Sequence, residues 1–210
     1  MADDPAKKRG NVVSDPVVRN ADGIRLPMPQ QWDGRRLCAG YIADYKPFSF
    51  VDGEGVRCAL YVSGCPFACP GCYNQAAQSF RYGEPFSQQV HSQILADLAQ
   101  PYVHGLSLLG GEPFLATPIL LPLVRECRAR YGLEKTIWIW SGYTYEQLCQ
   151  ETEDKQQLLQ MCDVLVDGPF IQRLYQRDLP FRGSTNQRII DLRATRAGGD
   201  LVERTDLTDR

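Results

Sequence analysis

Long apolar runs are missing from this 210-residue chain: no stretch of 18 or more apolar residues occurs, which excludes a helical membrane span. A basic excess is missing too. The formal net charge is −2, so nothing in the charge balance points to nucleic acid as the main partner. The N-terminus shows no secretion-signal pattern, and without one a disulfide framework is not the expected use of cysteine. Histidine is scarce, with only His91 and His104, which leaves little for a nitrogen-rich metal site. His91 falls on a predicted helix and His104 just before a predicted strand, positions that read as structural or exposed. No internal repeat or low-complexity tract occurs.

What the chain does have is eight cysteines, three of them in the run Cys65-Pro66-Phe67-Ala68-Cys69-Pro70-Gly71-Cys72-Tyr73. The spacing is C-x3-C-x2-C. Three nearby thiolates can hold three corners of a cubane iron–sulfur cluster, leaving the fourth iron open to another ligand, whereas electron-transfer cubanes use four cysteines. A structural zinc site is the competing reading; it is closed by four protein ligands, so its fourth would have to come from elsewhere in the chain. Pro66 and Pro70 stiffen the loop, and Gly71 permits an unusual backbone angle. Cys58, Cys127, Cys149 and Cys162 lie in apolar contexts and read as small buried residues. Cys38 carries no reading. One clustered triplet with the rest isolated favours the reducing cytoplasm.

The length fits one domain with a tail. Residues 1–36 are rich in Asp, Lys, Arg, Pro and Asn and read as an extension, disordered over Met1 to Gly10 and loosely docked over Val12 to Gln31. The domain is predicted over 37–193, and the charged stretch 194–210 as a mobile tail. Between them strands and helices alternate. Strands are predicted at Val56–Ser63, Gly105–Leu109, Thr136–Trp140, Val164–Val166 and Arg188–Leu192. Helices are predicted at Ser87–Ala99, with Ser87 as N-cap, at Pro118–Tyr131, and after a capping box at Thr144-Tyr145-Glu146-Gln147, continuing over Lys155–Cys162. That order argues for an α/β fold with parallel strands. A closed eight-unit barrel needs about 250 residues, so the expectation is a partial, open (β/α) barrel. Its motif loops all follow strands and gather at the carboxyl edge, where α/β proteins bind ligands.

The C-x3-C-x2-C run resembles the signature of the radical S-adenosylmethionine (SAM) superfamily. The wider segments Tyr61-Val62-Ser63-Gly64-Cys65 and Cys72-Tyr73-Asn74 narrow the likeness to the activating proteins of anaerobic (class III) ribonucleotide reductases. Gly110-Gly111-Glu112 after a strand resembles the superfamily's Gly-Gly-Glu motif. Trp140-Ser141-Gly142-Tyr143 resembles a Trp-Thr-Gly-Tyr run, with Ser141 in place of Thr. Asp163 to Phe170 and Phe181-Arg182-Gly183-Ser184-Thr185-Asn186-Gln187-Arg188 resemble family-distinctive runs, Thr185 standing where relatives carry Ser. The resemblance covers about Asp44 to Leu192.

It implies a radical-SAM-type barrel in which Cys65, Cys69 and Cys72 ligate a [4Fe-4S] cluster and serve as the catalytic centre. SAM would chelate the open iron, with Gly110, Gly111 and Glu112 at its ammonium, Gly71, Cys72 and Tyr73 near its adenine, and Ser141 at its ribose or carboxylate. Many relatives carry an aromatic residue where this chain has Gly71, so stacking from that position is lost. The implied reaction is one-electron cleavage of SAM to a 5′-deoxyadenosyl radical. That radical removes a hydrogen atom from a glycine on the large reductase subunit, with flavodoxin or a similar reductant as electron donor. The alternatives are a small-substrate radical SAM enzyme such as a 7-carboxy-7-deazaguanine synthase, against which the 163–170 and 181–188 runs argue, and a non-enzymatic metal-binding module.

Overall fold

A computed structural model describes residues 18–207. The disorder expected for Met1 to Gly10 lies outside them. The centre is a seven-stranded mixed sheet. Its four middle strands, β4 (Arg57–Val62), β6 (Gly105–Gly110), β7 (Thr136–Trp140) and β8 (Val164–Asp167), lie side by side and parallel. In register, Val62 faces Gly110, Leu108 faces Ile139 and Trp140 faces Val166. The strand ends that carry the motif loops are therefore level with one another.

Both flanks are antiparallel, so the expected parallel order holds for the four middle strands and is corrected at the edges. β3 (Tyr41–Ser49) runs against β4 and holds the two-residue β5 (Glu84–Pro85) on its outer side. β9 (Arg188–Asp191) runs against β8. The reason lies in the connections. A parallel neighbour requires the chain to cross back to the starting edge, usually through a helix. Between β8 and β9 the described helical structure is one 3-10 turn, Gln172–Leu174, so the chain returns in the opposite direction. The sheet order is β5-β3-β4-β6-β7-β8-β9; its two ends do not pair, and the sheet stays open.

The period-2 alternation of the strands divides two apolar layers. Ile137 and Ile139 join the large core under α2 (Gln88–Leu98), α3 (Thr117–Tyr131) and α5 (Glu153–Met161), together with Cys58, Leu60, Leu106 and Leu108. Trp138 and Trp140 face the other way, with Val166, Ile189 and Phe181. Ser87 caps α2 by accepting from the Val90 N–H, and Thr144 with Gln147 forms the reciprocal capping box of the short α4 (Tyr145–Leu148). His91 is nearly buried on α2, and His104 accepts a hydrogen bond from the Val56 N–H through Nδ1. Cys58, Cys127 and Cys162 are fully buried as expected, whereas Cys149 is exposed because it follows α4 at the surface. No helix among the described residues is long and apolar enough to cross a membrane.

The segment ahead of β3 packs on this body. β1 (Val18–Arg19) and β2 (Arg25–Leu26) pair as a small ribbon, and α1 (Gly34–Leu37) follows with Asp33 as N-cap. Ile24 between them is fully buried in the main core. At the other end, residues 194–198 continue α6 (Leu192–Gly198), and the chain beyond it returns along β9.

Candidate functional site

Four loops leave the carboxyl ends of the parallel strands, and hydrogen bonds tie each to the next. After β4, Gly64 adopts φ +102° and donates its N–H to the Ala77 carbonyl at 2.7 Å. The Phe80 ring lies where a Gly64 Cβ would be, so only glycine fits. The cysteine loop follows, with the Cys72 N–H donating to the Cys69 carbonyl at 3.2 Å. After β6, the Gly111 N–H donates to the Val62 carbonyl at 2.7 Å and the Glu112 N–H to the Gly64 carbonyl at 2.8 Å. These two bonds lock the Gly-Gly-Glu turn to the start of the cysteine loop. The Asn74 amide donates to the Gly110 carbonyl at 3.2 Å and closes the same junction from the far side.

Glu112 is the hub of the next junction. Its carboxylate is almost fully buried and accepts from the Phe114 N–H (3.1 Å), the Ser141 hydroxyl (2.9 Å) and the Gly142 N–H (2.8 Å). Burial nevertheless raises its pKa to about 7, the hydrogen bonds pulling the other way. After β8, the Gly168 N–H donates to the Tyr143 carbonyl at 2.9 Å. Gln187 then clamps that last loop: its Oε1 accepts from the Gly183 N–H (2.8 Å) and the Ser184 N–H (3.2 Å), and its Nε2 donates to the Gly168 carbonyl (3.0 Å). Asp167, buried at the end of β8, accepts from the Tyr145 N–H (2.8 Å) and from the Arg188 guanidinium (3.0 Å to Nε).

One cavity opens where these loops meet. Cys65, Cys69, Cys72, Gly110, Gly111, Glu112 and Ser141 all line it, joined by Phe67, Asn74, Trp140, Gly142, Pro169 and Gln187 among others. Seven of the residues singled out in the sequence are thus brought together. Gly71 and Tyr73 are not among the lining residues; Tyr73 is fully exposed beside Cys72. Burial, then the charge of Glu112, pushes the Cys65 thiol well above its ordinary pKa. Burial, then neighbouring Cys72, pushes Cys69 up to about 11. Crowded thiols beside a carboxylate form an electron-rich corner that a cationic centre would neutralise. Among the described residues no group of three or more His, Cys, Asp or Glu side chains is arranged to hold a single metal ion.

Residues 51–190 match the profile of a family described as a 4Fe-4S single cluster domain. The chain is 42% identical over 149 residues to the anaerobic ribonucleoside-triphosphate reductase-activating protein of Pasteurella multocida, an overlap of 69% of this chain and 93% of that protein. The Haemophilus influenzae protein of the same name is 44% identical over 151 residues, 69% of this chain and 94% of its own. That of enterobacteria phage T4 is 36% identical over 145 residues, 68% of this chain and 88% of its own. The chain belongs to the family of anaerobic ribonucleoside-triphosphate reductase-activating proteins.

The stretch 51–190 that matches the 4Fe-4S single cluster domain includes the four parallel strands and the loops just described. Sequence reasoning missed Phe67, Trp140 as a wall residue, and Gln187 as a clamp. Phe67 sits inside the cysteine run, but an apolar residue between cysteines carries no chemical signal of its own. Trp140 alternates with the core-facing Ile139, and that alternation was the available clue. The role of the Arg182 to Arg188 run becomes visible only in the fold, where it folds back over the loop after β8.

Proposed function

We propose that this chain is a radical SAM activase that generates a glycyl radical on the large subunit of an anaerobic ribonucleotide reductase. One observation carries the reading. Cys65, Cys69 and Cys72, with no other cysteine of the described residues, share a single cavity with the Gly-Gly-Glu turn and Ser141. Three soft donors on one loop fit three corners of a [4Fe-4S] cluster and leave the fourth for a non-protein ligand. The open sheet then corresponds to a partial radical-SAM barrel, its wide side suited to a protein substrate.

When bound, the cluster and SAM supply one-electron reductive cleavage of the sulfonium, and with it hydrogen-atom abstraction from a glycine Cα of the partner. The electron comes from an external donor of the flavodoxin kind. The chain's own residues hold and shield. Glu112 presents its carboxylate to the ligand's ammonium, and a cation there favours the ionised form that burial opposes. Gly110 and Gly111 let the backbone come close, because a Cβ at Gly111 would sit 2.7 Å from the Gly64 carbonyl. Ser141, already donating to Glu112, lies within the same wall for the ribose or carboxylate. Tyr73, exposed next to Cys72, is the aromatic residue available to cover the adenine with Gly71. Trp140, Phe170 and Pro169 make the remaining wall apolar and keep water from the reacting centre.

The test is anaerobic reconstitution with iron and sulfide, then incubation with SAM, a reductant and the cognate large subunit, read by electron paramagnetic resonance. The expected result is a glycyl-radical doublet on the partner with 5′-deoxyadenosine formed alongside. Cleavage of SAM without a partner radical would reject the large subunit as substrate. A protein that takes up no cluster would overturn the reading as a whole.

A further inference from the structure

The cysteine loop is held from behind by chain that precedes the family match, which begins at residue 51. Phe67 lies between Cys65 and Cys69 and is 1% exposed. Its ring meets the Trp32 indole edge-on, centroids 4.9 Å apart at 90°, and the Tyr143 ring at 5.2 Å and 85°. Trp32 also meets Tyr143 at 6.0 Å, so the three rings close a triangle. Gly142 completes the seat, since a Cβ there would be 2.7 Å from the Phe67 ring. On the backbone, the Arg25 N–H donates to the Phe67 carbonyl at 2.9 Å.

Trp32 is itself pinned. The Lys155 ammonium, fully buried, donates to the Trp32 carbonyl at 2.6 Å and to Glu151 Oε2 at 2.7 Å. The other Glu151 oxygen accepts from the Gln30 N–H at 3.0 Å. A buried ion pair contributes little net stability, because desolvation offsets its attraction. What this pair does achieve is to fix the register of residues 30–32 against α5. Further along, Arg173 pairs with Asp22 at 2.7 Å. At α1, a Cβ on Gly34 would lie 3.0 Å from the Leu115 carbonyl, so the chain lies flat against the body.

We propose that residues 22–34 are a brace for the cysteine loop and that Trp32 is its positioning residue, holding Phe67 and so the Cys65–Cys69 spacing. The brace closes the rear of the loop to water and small reagents. Its purpose rests on the cluster reading above, but its geometry does not.

The experiment uses the full chain and three variants: Trp32→Ala, Trp32→Phe, and Leu98→Ala as a control. Leu98 is a fully buried residue at the end of α2, seven positions before β6 starts and so toward the amino edge of the sheet, away from the loop. Metal-free protein is alkylated under native conditions and each cysteine is followed by mass spectrometry, with exposed Cys149 as the internal reference. Loss of two edge-to-face ring contacts should speed modification of Cys65 and Cys69 relative to Cys149 roughly tenfold in Trp32→Ala. Trp32→Phe should restore slow modification, and Leu98→Ala should leave the ratio unchanged at a comparable loss of thermal stability. An unchanged ratio in Trp32→Ala, or an equal rise in Leu98→Ala, overturns the brace. A parallel reconstitution with iron and sulfide, stripped by a chelator, should show faster bleaching in Trp32→Ala alone. Failure of the wild-type chain to take up iron overturns the cluster reading, and the alkylation ratios then decide the brace by themselves.

Discussion

At the scale of single residues, the site depends on which donors and acceptors are already committed. That Cys65, Cys69 and Cys72 line one cavity was legible from their spacing, because three residues that close in sequence share a single loop. Replacing Cys69 with Ala should abolish cluster assembly and SAM cleavage while the far-ultraviolet circular dichroism stays that of the wild type. Full cluster content with retained cleavage would reject the ligand set. Glu112 was legible only in part. Its type and its place after β6 suggest a partner for an ammonium, but the sequence does not reveal that three internal donors already converge on it. In Glu112→Gln one carboxylate oxygen becomes an amide donor facing an N–H or the Ser141 hydroxyl, and an unsatisfied buried group costs about 1–3 kcal/mol. For a chain of this size that lowers Tm by roughly 2–10 °C. Differential scanning calorimetry checks it, with SAM binding to the reconstituted protein weakened in step. An unchanged Tm would mean that Glu112 does not hold the β6 and β7 loops together.

At the scale of elements, the four parallel strands and the helices α2 and α3 were readable from their periods, α2 also from its cap, whereas the third helix expected to run on from the Thr144 box is the short α4 followed by a separate α5 that has no side-chain cap. Ser87 and Thr144 mark helix starts, and apolar runs such as Thr136 to Trp140 mark buried strands. β3 was not readable: it is interrupted by Pro47 and largely solvent-facing on one side, so its alternation is blurred. The direction of β9 was not readable either, since a residue pattern carries no strand polarity. The hold of residues 22–34 rests on Ile24, Leu26 and Trp32; the alternation of Ile24, Leu26 and Met28 is broken by Pro27 and Pro29, and Trp32 stands apart from it, so the pattern is too short to flag a docked segment. The run ending at Arg188 gives this scale its prediction. Arg188 bonds both Asp167 at the end of β8 and Glu146 on α4, the latter at 3.0 and 2.8 Å. Its guanidinium holds the Glu146 carboxyl down to about 2. A depressed carboxylate stabilises the fold above its ordinary pKa, and that contribution is lost as pH falls from about 4.5 toward 2. Glu146 is more than half exposed, so the effect stays below about 1 kcal/mol and weakens with salt. Glu146→Gln should therefore flatten the acid limb of a denaturant-midpoint profile below about pH 4.5 and leave the neutral limb in place. An identical acid limb in the variant would remove the pair from the account.

At the scale of the whole molecule, an open sheet creates a problem that a closed barrel does not have: two edges with unpaired backbone groups, each able to capture another strand. The first edge is blunted locally. β5 covers β3 at Tyr41 and Ile42 and ends in Pro85, which has no N–H to offer, and the stretch of β3 beyond it carries Lys46 and Pro47. At the other edge the chain that follows β9 supplies the cover. The Asp191 N–H donates to the Val202 carbonyl at 2.8 Å and the Arg204 N–H to the Ile189 carbonyl at 2.7 Å, so residues 202–204 run along β9. Leu207 then drops into the smaller apolar layer beside Trp138, Val166 and Ile189. That layer backs the strands whose ends carry the site, so the cover supports the cavity at one remove. Deleting everything beyond Gly199 should uncover β9 and empty the Leu207 position, whose burial alone is worth about 1.5–3 kcal/mol. The truncated protein should show a Tm lower by roughly 5–10 °C and concentration-dependent association in light scattering, while α6, capped by Asp191 within the retained chain, persists. Because the cysteine loop lies on strands at the opposite side of β8, iron uptake per folded molecule should be kept. A truncated chain that stays monomeric with an unchanged Tm would show that the β9 edge needs no cover, and the openness of the sheet would then have to be tolerated by the shortness of β9 itself.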